Sequence, residues 1–284
     1  MIDLKKLIDN HVQFGHKSSS RHPKMDSYIW GRRNDIYLID VSKTAHQLER
    51  AAEFLKSVAA AGKSILVVGT KKAAQPAVEK MAKELGIPNV THRWIGGTLT
   101  NYRQIKKAVA NYLHQQDVLA KSDQYPYTKK EFGKIQKNVE RLEKNIGGIT
   151  KLVWPVGAVI IIDVKKEHVA VKEAKFVGVP IVALVDTNCD PSGIDYVIPA
   201  NDDSPHSIGL LMNYMGESIK QGLEKAQNKQ QEDMLPEEIT ADAISVAPGL
   251  ETEEEGKKRI ARLAAAKVTK KIAPKGVRPA RKPE

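Results

Sequence analysis

Eight histidines are scattered through this 284-residue chain, and its one cysteine, Cys189, has no evident base beside it. A nucleophilic enzyme needs a hydroxyl or thiol activated by a neighbouring base, and no Gly-x-Ser-x-Gly elbow is present to supply one. Phosphate chemistry is the next candidate. Gly62-Lys63-Ser64 has the residue types that close a phosphate-binding loop. It precedes an apolar run, however, whereas a working loop follows its strand and opens a helix, so that backbone N–H groups point at phosphate. No Gly-x-Gly-x-x-Gly occurs either. A sheet enzyme acting on phosphorylated substrates is therefore the disfavoured alternative.

The cations make a stronger case. Lys17, Arg21, Lys24, Arg32 and Arg33 face a single Asp26 over residues 16–33. Lys71 and Lys72 follow an apolar run, and Arg93 and Arg103 flank a Gly-Gly turn. Lysine and arginine clustered in loops and at helix starts reach a curved polyanion backbone, so these nine are predicted to contact RNA phosphates. Tyr28 and Trp30 lie among them. They either stack on bases or pack the loop down.

The elements that must position these groups alternate. Ile65–Val68, Ala158–Ile162 and Ile181–Val185 are short apolar runs rich in β-branched residues, the signature of strands buried on both faces. Between them lie helical stretches closed by Gly86 with Pro88 and by Gly178 with Pro180. Strands alternating with helices predict a doubly wound parallel α/β sheet. Further expectations are a helix over residues 3–10 with Leu4, Leu7 and Ile8 on one side, an extended loop over 14–25, and a first strand at 35–40. A helix capped by Ser42, a helix capped by Thr70, a strand at 90–95 and a final strand at 196–199 complete the frame. Ser204 and Pro205 open the last helix.

Residues 101–150 break the alternation. Tyr102, Ile105, Val109, Tyr112, Gln116 and Leu119 recur every three or four positions, and so do Phe132, Ile135, Val139, Leu142 and Ile146. A capping box at Thr128 and Glu131 starts the second run, and Gly147-Gly148 ends it. Two narrow stripes predict an antiparallel coiled-coil hairpin inserted into the fold and projecting from it. The domain plan is then 1–100 with 151–228 as the α/β body, 101–150 as the hairpin, and 229–284 as a tail.

The formal charge is +11 and the pI about 9.5. Residues 230–256 hold nine acidic and no basic residues; residues 257–284 hold eleven basic and one acidic. The rest of the chain is thus basic by itself, which favours a polyanionic partner. The tail lacks the apolar periodicity of a core and is predicted to be disordered, its basic end touching RNA or a neighbour, or else paired with the acidic block folded back on it. One cysteine excludes a disulfide framework and fits a reducing compartment. No apolar run reaches the ~18 residues that span a bilayer, and the first residues lack a signal-peptide core, so a soluble cytoplasmic protein is expected.

Several stretches taken together resemble one family, bacterial small-subunit ribosomal protein number two. They are His11–His16, His22–Met25, Arg33–Asp40, Val68–Lys72, Arg93–Gly97, Leu99–Asn101, Asp186–Pro191 and Asn201–Asp203, in order over about residues 1–227. The chain departs from the family's usual pattern at Arg21 and His22, and at Trp154–Gly157. The resemblance implies a flavodoxin-like sheet with an inserted coiled coil and no enzymatic activity. It implies a structural protein that binds small-subunit ribosomal RNA where head and body meet, among neighbouring ribosomal proteins. One of these is ribosomal protein one, which recruits messenger RNA and which it helps to dock. It implies neither a membrane protein nor a homo-oligomer.

The resemblance also places the Phe-Gly-His loop beside Asp186, Asp202 and Asp203, which lie in turns after two late strands. No cofactor is required, but His16 with these carboxylates would suit one structural zinc or magnesium ion. The alternative is that the aspartates only cap turns and helices.

Overall fold

Two sheets divide the strands of the protein, whose computed structural model describes residues 2–121 and 124–233. Met1–Ala226 form one unit and Gln227–Glu284 another. Most of the tail predicted for 229–284 lies outside the described residues.

The first helix, α1 (Leu4–Asp9), is capped by the Asp3 carboxylate, which accepts the Lys5 N–H at 3.0 Å. Of its three apolar side chains only Leu7 is buried; Leu4 and Ile8 are exposed. Then β1 (Phe14–Lys17), β2 (Ile29–Arg33) and β3 (Ile36–Ile39) build an antiparallel sheet in the order β1-β3-β2. Residues 14–25 are thus not the expected loop but a strand followed by 3-10 turns at Ser18–Ser20 and Pro23–Tyr28. Arg32 and Arg33 lie within a strand, not ahead of the first one. Both pairings shift register, between Phe14 and Lys17 and between Ile29 and Gly31. Such shifts erase the two-residue alternation by which a strand is read. Asn34 and Asp35 turn the hairpin at φ of 47° and 60°, a left-handed region that Asn and Asp tolerate.

Helix α2 (Val41–Ala60) is capped by Asp40 and not by Ser42, whose N–H donates to the Asp40 carboxylate at 3.0 Å. Its buried stripe runs through Ala45, Leu48, Ala52, Leu55 and Ala59, as the spacing predicts. The parallel sheet follows: β4 (Ser64–Val68), α3 (Gln75–Leu85), β5 (Asn89–Val90), α4 (Tyr102–Ala120), α5 (Lys129–Ile146), β6 (Val156–Ile162), α6 (His168–Val177), β7 (Ile181–Val185), β8 (Tyr196–Pro199) and α7 (Pro205–Asp233). The strands run β5-β4-β6-β7-β8, all parallel. Counted within the sheet this is 2-1-3-4-5, the flavodoxin-like order.

Alternate residues of each strand enter opposite cores. Ile65, Val67, Ile160, Ile162, Val182, Leu184 and Ile198 join α2, α3 and α7 on one face. Leu66, Val68, Val159, Ile161, Ala183 and Val185 join α6 and the base of the α4–α5 hairpin on the other. A sheet covered on both faces requires the unbroken apolar runs that the sequence displays.

Two expectations at the second crossover fail. Thr70 does not cap α3, which begins at Gln75; its hydroxyl donates to Glu167 instead. The strand expected over 90–95 stops after Val90, because the segment beyond it is held by side-chain hydrogen bonds described below.

Helices α4 and α5 are antiparallel: Gln115 receives a hydrogen bond from Asn138, while Tyr112, earlier in α4, lies near Glu143, later in α5. The Glu131 carboxylate accepts from both the N–H and the hydroxyl of Thr128, completing the predicted capping interaction. Val118, not Leu119, is the buried residue near the turn. Ile105, Ile146 and Ile149 belong to the second core, whereas Tyr112, Val118 and Val139 bury themselves without joining either core. The hairpin is thus rooted in the body and leaves it, each arm spanning about 28 Å at ~1.5 Å per residue. At the root, a Cβ on Gly148 would meet the Asn89 carbonyl oxygen at 2.2 Å, so only glycine lets the hairpin seat against β5. At the other edge the Thr44 hydroxyl of α2 donates to the Pro199 carbonyl of β8 at 2.6 Å.

Candidate functional site

The carboxyl ends of a 2-1-3-4-5 sheet define a crevice between its first and third strands, where ligands of such folds bind. Here that crevice lies between β4 and β6, and carboxylates fill it. The Lys71 ammonium sits 2.6 Å from Asp202, 2.6 Å from Asp203 and 3.9 Å from Asp163. Beside it, the Thr70 hydroxyl donates to the buried Glu167, and the Lys166 ammonium donates to the Thr70 carbonyl at 3.0 Å. A phosphate would meet Asp163, Glu167 and Asp202 before any unengaged cation.

The antiparallel sheet closes this end. Gly15 packs so tightly on Thr187 that a Cβ would lie 2.6 Å from the Thr187 methyl. The His16 N–H donates to the Thr187 hydroxyl at 2.9 Å, and the His22 N–H to the Thr187 carbonyl at 2.8 Å. The imidazole of His16 is thereby fixed with Nδ1 3.0 Å from Asp186 and Nε2 3.4 Å from Asp203. His16, Asp186, Asp202 and Asp203 thus come together, as the resemblance implied, with one ligand atom from each within 4.8 Å of the others.

The electrostatics follow from burial. Burial, with Asp186 and Asp163 nearby, outweighs Lys71 and pushes the Asp202 carboxyl up to about 6. Burial opposes the charge on Lys71, but Asp202 and Asp203 more than compensate and raise its pKa. Asp186 raises His16 against a smaller effect of burial, and Lys71 holds Asp203 below its ordinary value despite burial. Two buried ligand atoms have no hydrogen-bond partner: His16 Nδ1, close to Asp186 but not aligned for a hydrogen bond, and Asp202 Oδ2. An imidazole with three carboxylates around it, one carboxylate oxygen of Asp202 without a partner, is a donor set that fits a zinc or magnesium ion. The neighbouring trio Asp163, Cys189 and Asp202 fits less well, because burial pushes the Cys189 thiol up to about 12 and disfavours the thiolate a metal requires.

The predicted cations separate into two groups. Lys17, Arg21, Lys24, Arg32, Arg33, Lys72, Arg93 and Arg103 are exposed. Lys71 is not among them, since its ammonium is committed to the internal aspartates. Arg21 pairs with Asp26, Arg32 with Asp35, and Lys24 with Asp190 at 3.3 Å. Lys17 of β1 and Arg33 of β2 both stand opposite Ile36 of β3, one on each neighbouring strand.

Glu173 escaped the sequence reading. From α6 its carboxylate accepts the Trp94 indole N–H at 3.1 Å and the backbone N–H groups of Gly97, Leu99 and Thr100 at 2.8, 3.0 and 3.4 Å. These bonds hold the carboxyl below its ordinary range although burial opposes them. They order the segment between Arg93 and Arg103, and so set where both cations stand. A lone acid in an amphipathic helix carries no signal of this task; Glu173 reads as part of a solvated face.

Fold and site together define a doubly wound scaffold whose ligand end is taken up by its own carboxylates and by an added sheet bearing exposed cations. Residues 7–222 match the family described as Ribosomal protein S2. Similar proteins include the small ribosomal subunit protein uS2 of Micrococcus luteus, 40% identical over 227 residues, 78% of this chain and 79% of the relative. That of Kocuria rhizophila is also 40% identical, over 232 residues and 80% of each chain. The chain belongs to the ribosomal protein S2 family; it is a structural constituent of the small ribosomal subunit and not an enzyme. Among the described residues no helix is long and apolar enough to cross a membrane.

Proposed function

We propose that the chain binds ribosomal RNA near the junction of head and body in the small subunit. The observation that carries this reading is the segregation of charge. Asp163, Asp186 and Asp202 are turned inward against Lys71 and His16, while Lys17, Arg33, Lys72, Arg93 and Arg103 face solvent with no carboxylate partner among the described residues. Contacts from such side chains position a protein on a phosphate backbone without reading sequence. RNA affinity should fall steeply with salt, because each neutralised phosphate releases counterions. The cellular protein should sediment with small subunits. A flat salt titration, or a protein found only as an unbound pool, would overturn the proposal.

The hairpin serves in this reading as a docking arm, since most of its surface stays wet and its sequence carries more cations than anions over residues 103–151. Its neighbours are other small-subunit proteins. Docking of ribosomal protein one for messenger RNA recruitment rests on the family alone, as does action in the cytoplasm.

A second reading concerns the donor set at His16, Asp186, Asp202 and Asp203, and the two unsatisfied atoms favour it. A bound zinc or magnesium ion there would pin β1 to the ends of β7 and β8, a structural role. Elemental analysis of purified protein should find about one zinc per chain, lost in the His16→Ala and Asp186→Ala variants. No bound metal, with no thermal shift on adding zinc, would leave the aspartates as turn caps.

A further inference from the structure

Three tryptophans occur in the chain, and the structure treats one of them differently. Trp94 is 7% exposed, with its indole N–H bonded to Glu173, and Trp154 packs against the second core and the Tyr102 ring. Trp30 is 75% exposed. Tyr28, its neighbour two residues earlier, packs against the second core. The two aromatics of this segment therefore have different roles: Tyr28 secures it, and Trp30 is left outside.

The surroundings of Trp30 are specific. It sits at the register shift of β2 between Ile29 and Gly31, the kind of irregularity that re-aims a side chain. Arg32 and Arg33 follow on the same strand. Arg32 lies across the ladder from Tyr37, and the Arg21 guanidinium lies 5.6 Å from the centre of the Tyr37 ring. The nearby acids Asp26 and Asp35 are already paired with Arg21 and Arg32. Besides Trp30, Phe14 at the start of β1 is the large apolar side chain exposed on these three strands, at 41%.

We infer that Trp30 is a stacking platform for an unpaired RNA base, with Arg32, Arg33 and Lys17 meeting the phosphates on either side. The inference rests on the RNA-binding reading above and deepens it from backbone contact to recognition of single-stranded character. An aromatic face surrounded by cations suits a nucleobase, because every base offers a π-face and carries a phosphate beside it. A protein partner would instead cover a contiguous apolar patch, and here Trp30 and Phe14 are the large apolar side chains exposed on the three strands, Trp30 with cations as its neighbours on β2.

The intact protein is titrated with a short oligoadenylate, with an oligouridylate, and with an RNA duplex of the same length, while tryptophan emission is followed. Trp30 is the exposed fluorophore, and Trp94 and Trp154 are built-in controls. Oligoadenylate should quench the exposed component, oligouridylate should do so less because the smaller ring stacks less well, and the duplex should not. Trp30→Ala should weaken oligoadenylate binding about tenfold, with Trp30→Phe retaining most of the affinity. The salt dependence of binding should be unchanged in Trp30→Ala and shallower in Arg33→Ala, since only the cation releases counterions. RNA binding without quenching, and with full affinity in Trp30→Ala, would overturn the platform while leaving the RNA-binding reading intact. Failure of every RNA to bind would overturn both. Normal RNA affinity in Trp30→Ala, together with lost incorporation into subunits, would assign Trp30 to a protein contact and also overturn the inference.

Discussion

The parallel and antiparallel sheets of this protein meet burial in opposite ways. Every strand of the larger sheet is sandwiched, and Leu66, Ile160, Ile161, Ile162 and Leu184 have no accessible surface. The smaller sheet is half wet: β2 exposes Trp30, Arg32 and Arg33, and of β3 only Ile39 is fully buried. The larger sheet therefore has one task, to hold its shape. The smaller one keeps its cations and its indole at the surface while tucking one edge, through Gly15 and His16, against the ends of β7 and β8. Enclosed and solvent-facing side chains thus fall largely on separate sheets, and a mutation should cost more stability in the larger sheet than in the smaller.

The contrast is tested most strongly at Ile161. Ile161→Ala leaves a cavity in a fully enclosed strand and should cost about 4 kcal/mol of stability, whereas Tyr37→Ala in β3 should cost about 1 kcal/mol because its surroundings are partly solvent. Denaturant unfolding of both variants measures this. Equal losses would mean that the smaller sheet is as much core as the larger.

Glu173 lies between the two in effect. Glu173→Ala strands the Trp94, Gly97, Leu99 and Thr100 donors and should cost about 3 kcal/mol. Glu173→Gln keeps the shape but not the charge. Because the folded-state pKa lies below the unfolded one, the contribution of this carboxylate is complete above its ordinary range near 4.5 and is lost as pH falls through the depressed folded value. Stability of the natural protein should thus drop more steeply on acidification than that of Glu173→Gln. Parallel pH profiles for the two would show that the charge is not what organises the loop.

A smaller effect than that of Glu173→Ala is expected at the seam. Gly15→Ala should cost about 2 kcal/mol by overpacking against Thr187 and the Tyr37 carbonyl. Its double mutant with Thr187→Ala should recover part of the loss, since the residues touch. RNA affinity should decline more than the melting temperature in Gly15→Ala. Recovery of stability without recovery of affinity would show that the seam sets the orientation of the smaller sheet.

The same contrast explains what could be read beforehand. Residues 158–162, 181–185 and 196–199 are legible as strands because two-sided burial demands consecutive apolar residues, and β8 falls where the pattern puts it. In β1 and β2 the stretches Phe14–Lys17 and Ile29–Arg33 mix glycine, cations and aromatics across two register shifts, so neither alternation nor an apolar run survives. The cations of the rim were legible as residue types, yet only the fold reveals that Lys71 turns inward while Lys72 does not. The grouping of His16 with Asp186 spans 170 positions of sequence, so no local spacing could announce it.

The glycine at the root of the hairpin has a consequence for the protein before it meets any partner. A parallel sheet ends in two strands with unpaired backbone groups, which invite another chain to add on. Here Gly148 brings the hairpin root onto Asn89 of the two-residue strand β5, and α2 covers the opposite border through Thr44 and Pro199. Both borders of this larger sheet are short and shielded, which leaves its ladder little room for an added strand. Replacing Gly148 should therefore push the hairpin root off Asn89 and lay the β5 border open, a change that would reach self-association before it reached binding.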